Sequence, residues 1–325
     1  MKIAVVGATG LVGQTILQVL QEEKIKADYF LFSSARSAGK RVMFMGKEHQ
    51  VLELTHANIK KVKPDYALFS AGALTSKNFA PLCGDLGCTV IDNSSAFRRE
   101  PTIPLVVPEC NPEDVKNAAS RIISNPNCST IGVVAVLKPL EDLYKIKRVI
   151  YSTYQAVSGA GHAGIEDYYS SAKGETPKKF PHPIFNNLIP HIDSFLDNGN
   201  TKEEDKMIFE TRKILHRRDL GVSATAVRVP ILNCHSISVN IEFEKEPDIA
   251  EIKRVLAKSP GIVLLDNPAD GVYPMPMLAH GFNEVFVGRI RLDSSRKNCI
   301  NLFTASDNIR KGAAVNAVQI LKLLL

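Results

Sequence analysis

Cysteine and histidine are the side chains best suited to covalent acyl chemistry, and one of the six cysteines has a setting that would activate it. Cys128 stands in Arg121-Ile-Ile-Ser-Asn-Pro-Asn-Cys128-Ser-Thr-Ile-Gly, which reads as a strand, a turn and a helix start. A thiolate at a helix N-terminus is stabilised by the dipole and by unpaired N–H groups. Those N–H groups could also serve a developing oxyanion. Cys83, Cys88, Cys110, Cys234 and Cys299 form no CxxC pair and no Cys/His cluster at zinc spacing, so free thiols in a reducing cytoplasm and no metal are expected. His235 heads a stretch in which Ile237, Val239, Ile241 and Phe243 alternate with polar residues. It falls on the apolar side, facing a core or a cleft, and its ordinary pKa suits proton transfer. Arg228 lies among small and apolar strand residues, opposite Val227 and Val229. A buried guanidinium needs an anionic partner; a carboxylate gripped by two bonds fits best, and an internal salt bridge is the alternative.

A second constellation is made of glycines. Gly7-x-x-Gly10-x-x-Gly13 falls between an apolar run, Ile3 to Val6, and a segment with apolar residues at Val12, Ile16, Val19 and Leu20. A glycine loop between a strand and a helix start allows a tight turn, close approach to a phosphate and anion binding by helix N–H groups. The spacing differs from G-x-G-x-x-G. At the end of the next strand, an NAD site usually carries an acid for the ribose hydroxyl. Ser33-Ser34-Ala35-Arg36-Ser37 stands there instead, with no acid until Glu48. Serine and arginine suit a 2′-phosphate, which points to NADP.

These residues need elements to position them. Apolar runs at Tyr29 to Phe32, Tyr66 to Phe69, Thr89 to Ile91 and Arg121 to Ile123 predict strands, several of them followed by small polar loops. Strands alternating with helices argue for a doubly wound parallel sheet. After about residue 127, Val149 to Tyr154, Ala226 to Leu232, Ile237 to Phe243 and Val285 to Arg291 read as longer strands of a sheet with two different faces. Thr201-Lys202-Glu203-Glu204 is a capping box opening a helix to about His216. Glu203 and Lys206, three apart, share a face of it and by spacing alone are an exposed ion pair. Residues 174–199 read as irregular, and Ile309 to Leu325 as a helix packing back on the first domain. The expected fold is therefore α/β: a Rossmann-like NADP-binding domain, 1–127 with 309–325, and an α/β catalytic and dimerisation domain, 128–308, on a mostly antiparallel mixed sheet. Lys+Arg 40 against Asp+Glu 34 leaves +6 over 325 residues, too thin for a nucleic-acid stripe. No apolar run nears the ~20 residues of a membrane helix, and no secretory signal is read at the start.

The blocks Ser124-Asn-Pro-Asn-Cys-Ser-Thr130 and Ser152-Thr-Tyr-Gln-Ala-Val-Ser-Gly-Ala-Gly161 resemble those of the aspartate-β-semialdehyde dehydrogenases. The likeness extends, in order, to Asp92–Arg98, Leu105–Glu109, Val222–Arg228, Cys234–Ser236, Val287–Arg291 and Ser306–Ala314. The resemblance implies NADPH-dependent reduction of aspartyl phosphate to the semialdehyde, in the route to lysine, methionine and threonine and hence to diaminopimelate. It implies Cys128 as nucleophile, His235 as acid/base and Gln155 orienting the acyl group. Arg228 would hold the substrate carboxylate, Glu203 and Lys206 the amine and the phosphate, and Arg98 the phosphate, with Arg99 a one-residue ambiguity. Thr9, Gly10, Leu11, Val12, Gly13, Arg36, Ser37, Ser158, Gly159 and Asn308 match cofactor contacts. Ala226 stands where many members have cysteine. A cytoplasmic homodimer or homotetramer is expected, acting on a small molecule with inorganic phosphate as co-substrate. The nearest relative chemistry is that of the N-acetyl-γ-glutamyl-phosphate reductases, whose substrate lacks a free amine.

Overall fold

The computed structural model describes residues 1–325, which divide into two compact units, Met1–Pro126 with Ala313–Leu325, and Asn127–Gly312. In the first unit six parallel strands lie in the order Leu52–Glu53, Asp28–Ser33, Lys2–Val6, Tyr66–Phe69, Thr89–Asp92, Ile122–Ser124. The chain starts at the middle of the sheet, builds to one edge, then crosses back and builds to the other, which is the doubly wound dinucleotide-binding order. Strand Lys2–Val6 sorts its side chains by the two-residue period of a strand. Ile3 and Val5 join one buried cluster with Ile16, Leu20, Val318 and Leu321; Ala4 joins another with Ile59, Ala80 and Cys83. Both faces of the sheet are thus covered, as an all-parallel sheet requires.

The C-terminal segment is not one continuous α-helix. A π-helical turn, Arg310–Val315, precedes the α-helix Asn316–Leu324. Val315, Val318, Ile320 and Leu321 lie in the first unit's core. Asn316 Nδ2 donates to the Val106 carbonyl at 2.9 Å and to Asn125 Oδ1 at 2.7 Å. A hairpin, Arg41–Phe44 with Lys47–Gln50, carried no apolar alternation in the sequence. Its local cause is the two-residue turn Met45-Gly46, both with positive φ (51° and 70°), the geometry a tight hairpin demands.

The second unit holds a six-stranded mixed sheet in the order Gly221–Arg228, Ile146–Gln155, His235–Phe243, Cys299–Ser306, Val285–Leu292, Ile262–Leu264. The three inner pairings are antiparallel and the two outer ones parallel. The fold is α/β, a Rossmann-like unit joined to an α/β unit with a mixed, mostly antiparallel sheet. Strand Cys299–Ser306 escapes sequence reading because the alternating set Ile300, Leu302, Thr304 and Ser306 is half polar, and Cys299 and Ala305 on the other phase are buried as well. The strand expected over Ala226–Leu232 stops at Arg228, two residues before Pro230, which has no N–H for a ladder. Residues 174–199 contain no helix and no ladder strand. Asp167 organises their start, taking the Lys178 N–H on Oδ1 and those of Lys179 and Phe180 on Oδ2. Burial alone would raise its pKa, but these donors outweigh it and hold the carboxyl below the usual range.

Candidate active site

Register in the second unit brings three sequence-distant residues to one end of its sheet. Gln155 ends Ile146–Gln155 and pairs directly with Arg228, the end of the parallel neighbour Gly221–Arg228. His235 begins the antiparallel strand His235–Phe243 on the other side, one residue beyond the Ser236–Tyr154 pair. Helix Cys128–Tyr144 starts with Cys128 itself, capped by Asn127. Helix Lys202–Ile214, opened by the capping box that the sequence signalled, brings Glu203 within reach of both Asn127 and Gln155. Glu204, besides completing the box, accepts the Ala226 N–H at 2.9 Å, which ties this helix to the strand carrying Arg228.

The nucleophile's turn is heavily bonded. Asn127 Oδ1 accepts the N–H groups of Ser129 (2.9 Å) and Thr130 (3.2 Å). Those two donors, expected from sequence to be open to an oxyanion, are therefore already used by the cap. Asn127 Nδ2 donates to Glu203 Oε1 at 2.9 Å, and Gln155 Nε2 donates to the same oxygen at 3.2 Å. Lys206 Nζ lies 3.4 Å from Glu203 Oε2 and 2.8 Å from Asp193 Oδ2. Glu203 is thus buried and bonded on both oxygens, unlike the solvated ion pair its spacing suggested.

Arg228 is 6% exposed, with Nη1 donating to the Ala156 carbonyl at 2.7 Å and the guanidinium 5.7 Å from the Phe180 ring centre. No carboxylate lies within ion-pair distance of it, so the internal salt bridge is absent. Burial holds its pKa below the usual arginine value, while Glu203 and Cys128 act in the opposite direction. His235 is fully buried; its Nδ1 accepts the Ala156 N–H at 3.1 Å and its Nε2 has no hydrogen-bond partner. A neutral ring that accepts at Nδ1 carries its proton on Nε2. Burial first, and the Arg228 charge second, push the imidazole pKa down to about 3. At rest His235 is a neutral donor. Gly159 explains how it and Arg228 adjoin: a Cβ there would sit 2.9 Å from Arg228 Nη1 and 3.3 Å from His235 Nε2.

Asn308 and Ser158, expected at the cofactor, hydrogen-bond to each other, Nδ2 to Oγ at 3.1 Å. Asn308 Oδ1 also accepts the Cys234 N–H at 2.8 Å, fixing the positive φ of 74° that precedes His235. Cys234, His280 and Asp307, scattered in sequence, approach as a thiol, imidazole and carboxylate group. Asp307 is already engaged by the N–H groups of Gly281, Ile309 and Arg310 and by His280 Nδ1. Burial and Asp307 push the Cys234 thiol up.

The first unit carries the other expected residues. Gly7 has φ 84°, and a Cβ on Gly13 would lie 2.0 Å from the Gly7 carbonyl oxygen, so only glycine lets helix Leu11–Glu22 start this close to the loop. No side chain caps that helix at Gly10, in contrast to the capped helix of Cys128, so the first-turn N–H groups of Leu11, Val12 and Gly13 suit a phosphate. Thr9 Oγ1 meets Ser33 Oγ at 2.8 Å, joining the loop to the end of the second strand. There Ala35–Ser37 form a short 3-10 turn with Ser37 buried and Arg36 exposed, bonded to no side chain or backbone group. Arg98 is buried, Nη2 donating to the Asn93 carbonyl at 2.8 Å, whereas Arg99 is exposed.

Residues 2–118 match the family model of the semialdehyde dehydrogenase NAD binding domain, and residues 137–311 that of the semialdehyde dehydrogenase dimerisation domain. The aspartate-semialdehyde dehydrogenase of Aquifex aeolicus is 52% identical over 333 residues, covering 100% of this chain and 98% of the relative. The chain belongs to the aspartate-semialdehyde dehydrogenase family. Within that family the enzyme of Bacillus subtilis is 47% identical over 99% of this chain and 96% of its own. The solved aspartate semialdehyde dehydrogenase II of Vibrio cholerae, complexed with ASA, superposes with a TM-score of 0.93 at 42% identity, covering 99% of this chain and 97% of that one. That of Candida albicans, solved with NADP, gives 0.77 at 27% identity over 99% and 98%. Membership makes the protein an oxidoreductase of amino-acid biosynthesis with a Rossmann-type NAD(P)-binding domain, as the sequence blocks implied. No helix is long and apolar enough to cross a membrane.

Asn127, Glu210 and the Ala156 main chain were not singled out from sequence. An N-cap asparagine beside Cys128 was a readable signal; Glu210 and Ala156 act through contacts that only the folded chain makes.

Proposed function

We propose that the protein reduces L-aspartyl 4-phosphate to L-aspartate 4-semialdehyde, reversibly, with NADPH and release of inorganic phosphate, on the route to diaminopimelate, lysine, methionine and threonine. The observation that carries this reading is the buried Arg228 with no carboxylate partner, adjoining an unpartnered His235 Nε2 donor and acting electrostatically on Cys128. Cys128 Sγ attacks the acyl carbon, the bond from that carbon to the phosphate oxygen breaks, and a thioester forms. Bound NADPH supplies the hydride that turns the thioester into a thiohemiacetal. Collapse of the thiohemiacetal releases the aldehyde and returns the thiolate.

The remaining residues orient and stabilise. His235 Nε2–H donates to the acyl oxygen as charge develops on it. Arg228 grips the α-carboxylate and Gln155 orients the acyl group. Glu203 faces the amine; Lys206 and Arg98 receive the phosphate. Thr9, Gly10, Leu11, Val12 and Gly13 hold the pyrophosphate, Arg36 and Ser37 the 2′-phosphate, and Ser158, Gly159 and Asn308 the nicotinamide side. None of these steps calls for a metal. The match of 137–311 to a dimerisation domain supports a homodimer, and the cytoplasm is the compartment we assign.

The test is phosphate-dependent NADPH formation from L-aspartate 4-semialdehyde, run beside N-acetyl-L-glutamate 5-semialdehyde. Turnover of the first alone supports the reading. Preference for the acetylated aldehyde would overturn it.

A further inference from the structure

Glu210 is almost completely buried, at 1% exposed, on helix Lys202–Ile214. Its Oε2 accepts the backbone N–H of Asn127 at 2.6 Å. Seven residues separate it from Glu203, nearly two turns, so both carboxylates leave the same face of the helix. Glu203 takes the Asn127 side chain and Glu210 takes its main chain. Asn127 in turn caps the helix whose first residue is Cys128. A buried acceptor that takes a main-chain N–H holds that stretch of backbone in place, because an N–H left unpaired there would bear its full desolvation cost. On the other side, Gly312 has no Cβ; one placed there would lie 2.9 Å from Cys128 Cβ. The nucleophile therefore starts from a backbone pinned by Glu210 and a side chain packed against a glycine.

We infer that Glu210 is a positioning residue for Cys128: through the Asn127 N–H it fixes the turn from which the thiolate attacks. The inference rests on Cys128 being the nucleophile. A displaced sulfur costs rate more than binding, because a shift of about 1 Å from the attack geometry can lower turnover on the order of a hundredfold. The residue touches no substrate in this role, so KM and cofactor affinity are left nearly unchanged.

The test compares Glu210→Ala, Glu210→Asp and Glu210→Gln in the full chain, with folding followed by far-ultraviolet circular dichroism. The readouts are kcat, KM for the semialdehyde, and the rate of Cys128 alkylation by iodoacetamide, located by mass spectrometry. Glu210→Gln keeps an acceptor oxygen at the same reach and should stay within about threefold of wild type. Glu210→Asp, one methylene short, should lose about ten- to a hundredfold in kcat, with KM within about threefold and with altered Cys128 alkylation. Glu210→Ala should match it; if that variant does not fold, the Asp and Gln pair decides. Normal kcat and alkylation in Glu210→Asp would overturn the inference, as would equal losses in Asp and Gln. Turnover retained by Cys128→Ala would instead overturn the nucleophile, a separate result.

Discussion

The Ala156 amide donates to Nδ1 of His235 at 3.1 Å, and this one bond places the ring's proton on Nε2. The folded imidazole titrates at about 3, against about 6.5 in an unfolded chain. Between those values the unfolded state binds a proton that the native state does not, so this group lowers stability as pH falls through that window and is silent above it. Its slope is at most about 1.4 kcal/mol per pH unit. Denaturant titrations at about pH 6 and about pH 4.5 should show a shallower pH dependence in His235→Gln than in wild type. Parallel slopes would mean that the native ring takes up a proton.

Arg228 presents its planar fork without an ion-pair partner, and a carboxylate offers two matching acceptors. Arg228→Lys keeps the charge and loses one charged bond, about 1.5–3 kcal/mol in transition-state binding. The expected loss is roughly ten- to a hundredfold in kcat/KM for the semialdehyde, with NADP affinity unchanged. An aldehyde without the α-carboxylate should lose much less. Equal losses on both aldehydes would make Arg228 a structural residue held by the Ala156 carbonyl.

Arg36 is exposed just after the second strand, in a stretch, Ser33 to Ser37, that contains no acid. Removing a charge-assisted phosphate contact costs about 1.5–3 kcal/mol, so Arg36→Ala should weaken NADP use on the order of tenfold or more and leave NAD use alone. Steady-state kinetics with both coenzymes reads this directly. Equal effects would assign Arg36 elsewhere.

Arg98 and Arg99 differ in burial, and Arg98 is fixed by the Asn93 carbonyl. Arg98→Ala should raise the phosphate concentration needed in the oxidative direction several-fold more than the aldehyde concentration. Should Arg99→Ala do this and Arg98→Ala not, the phosphate contact belongs to the neighbour.

Much of the architecture was legible because local rules coincide with the global fold. Unbroken apolar runs marked the buried parallel strands, and the clean alternation of Ile237, Val239, Ile241 and Phe243 marked a sheet with two faces. The capping box at Thr201 formed where its residue types placed it. The hairpin at Met45-Gly46 and the strand Cys299–Ser306 were missed, since one is set by positive φ and the other by half-polar alternation.

The sequence by itself determined which residue types were available: one cysteine at a helix start, a histidine at a strand start, an arginine in an apolar strand, a glycine loop before a helix. Those follow from spacing, which local structure reads. Only tertiary structure decided what each is bonded to. Register set Gln155 beside Arg228; a main-chain amide 79 residues away chose the His235 tautomer; Asn127 took the N–H groups of the Cys128 helix while Gly10 left its own helix uncapped. Such choices depend on distances across the chain, and no periodicity in the sequence encodes them.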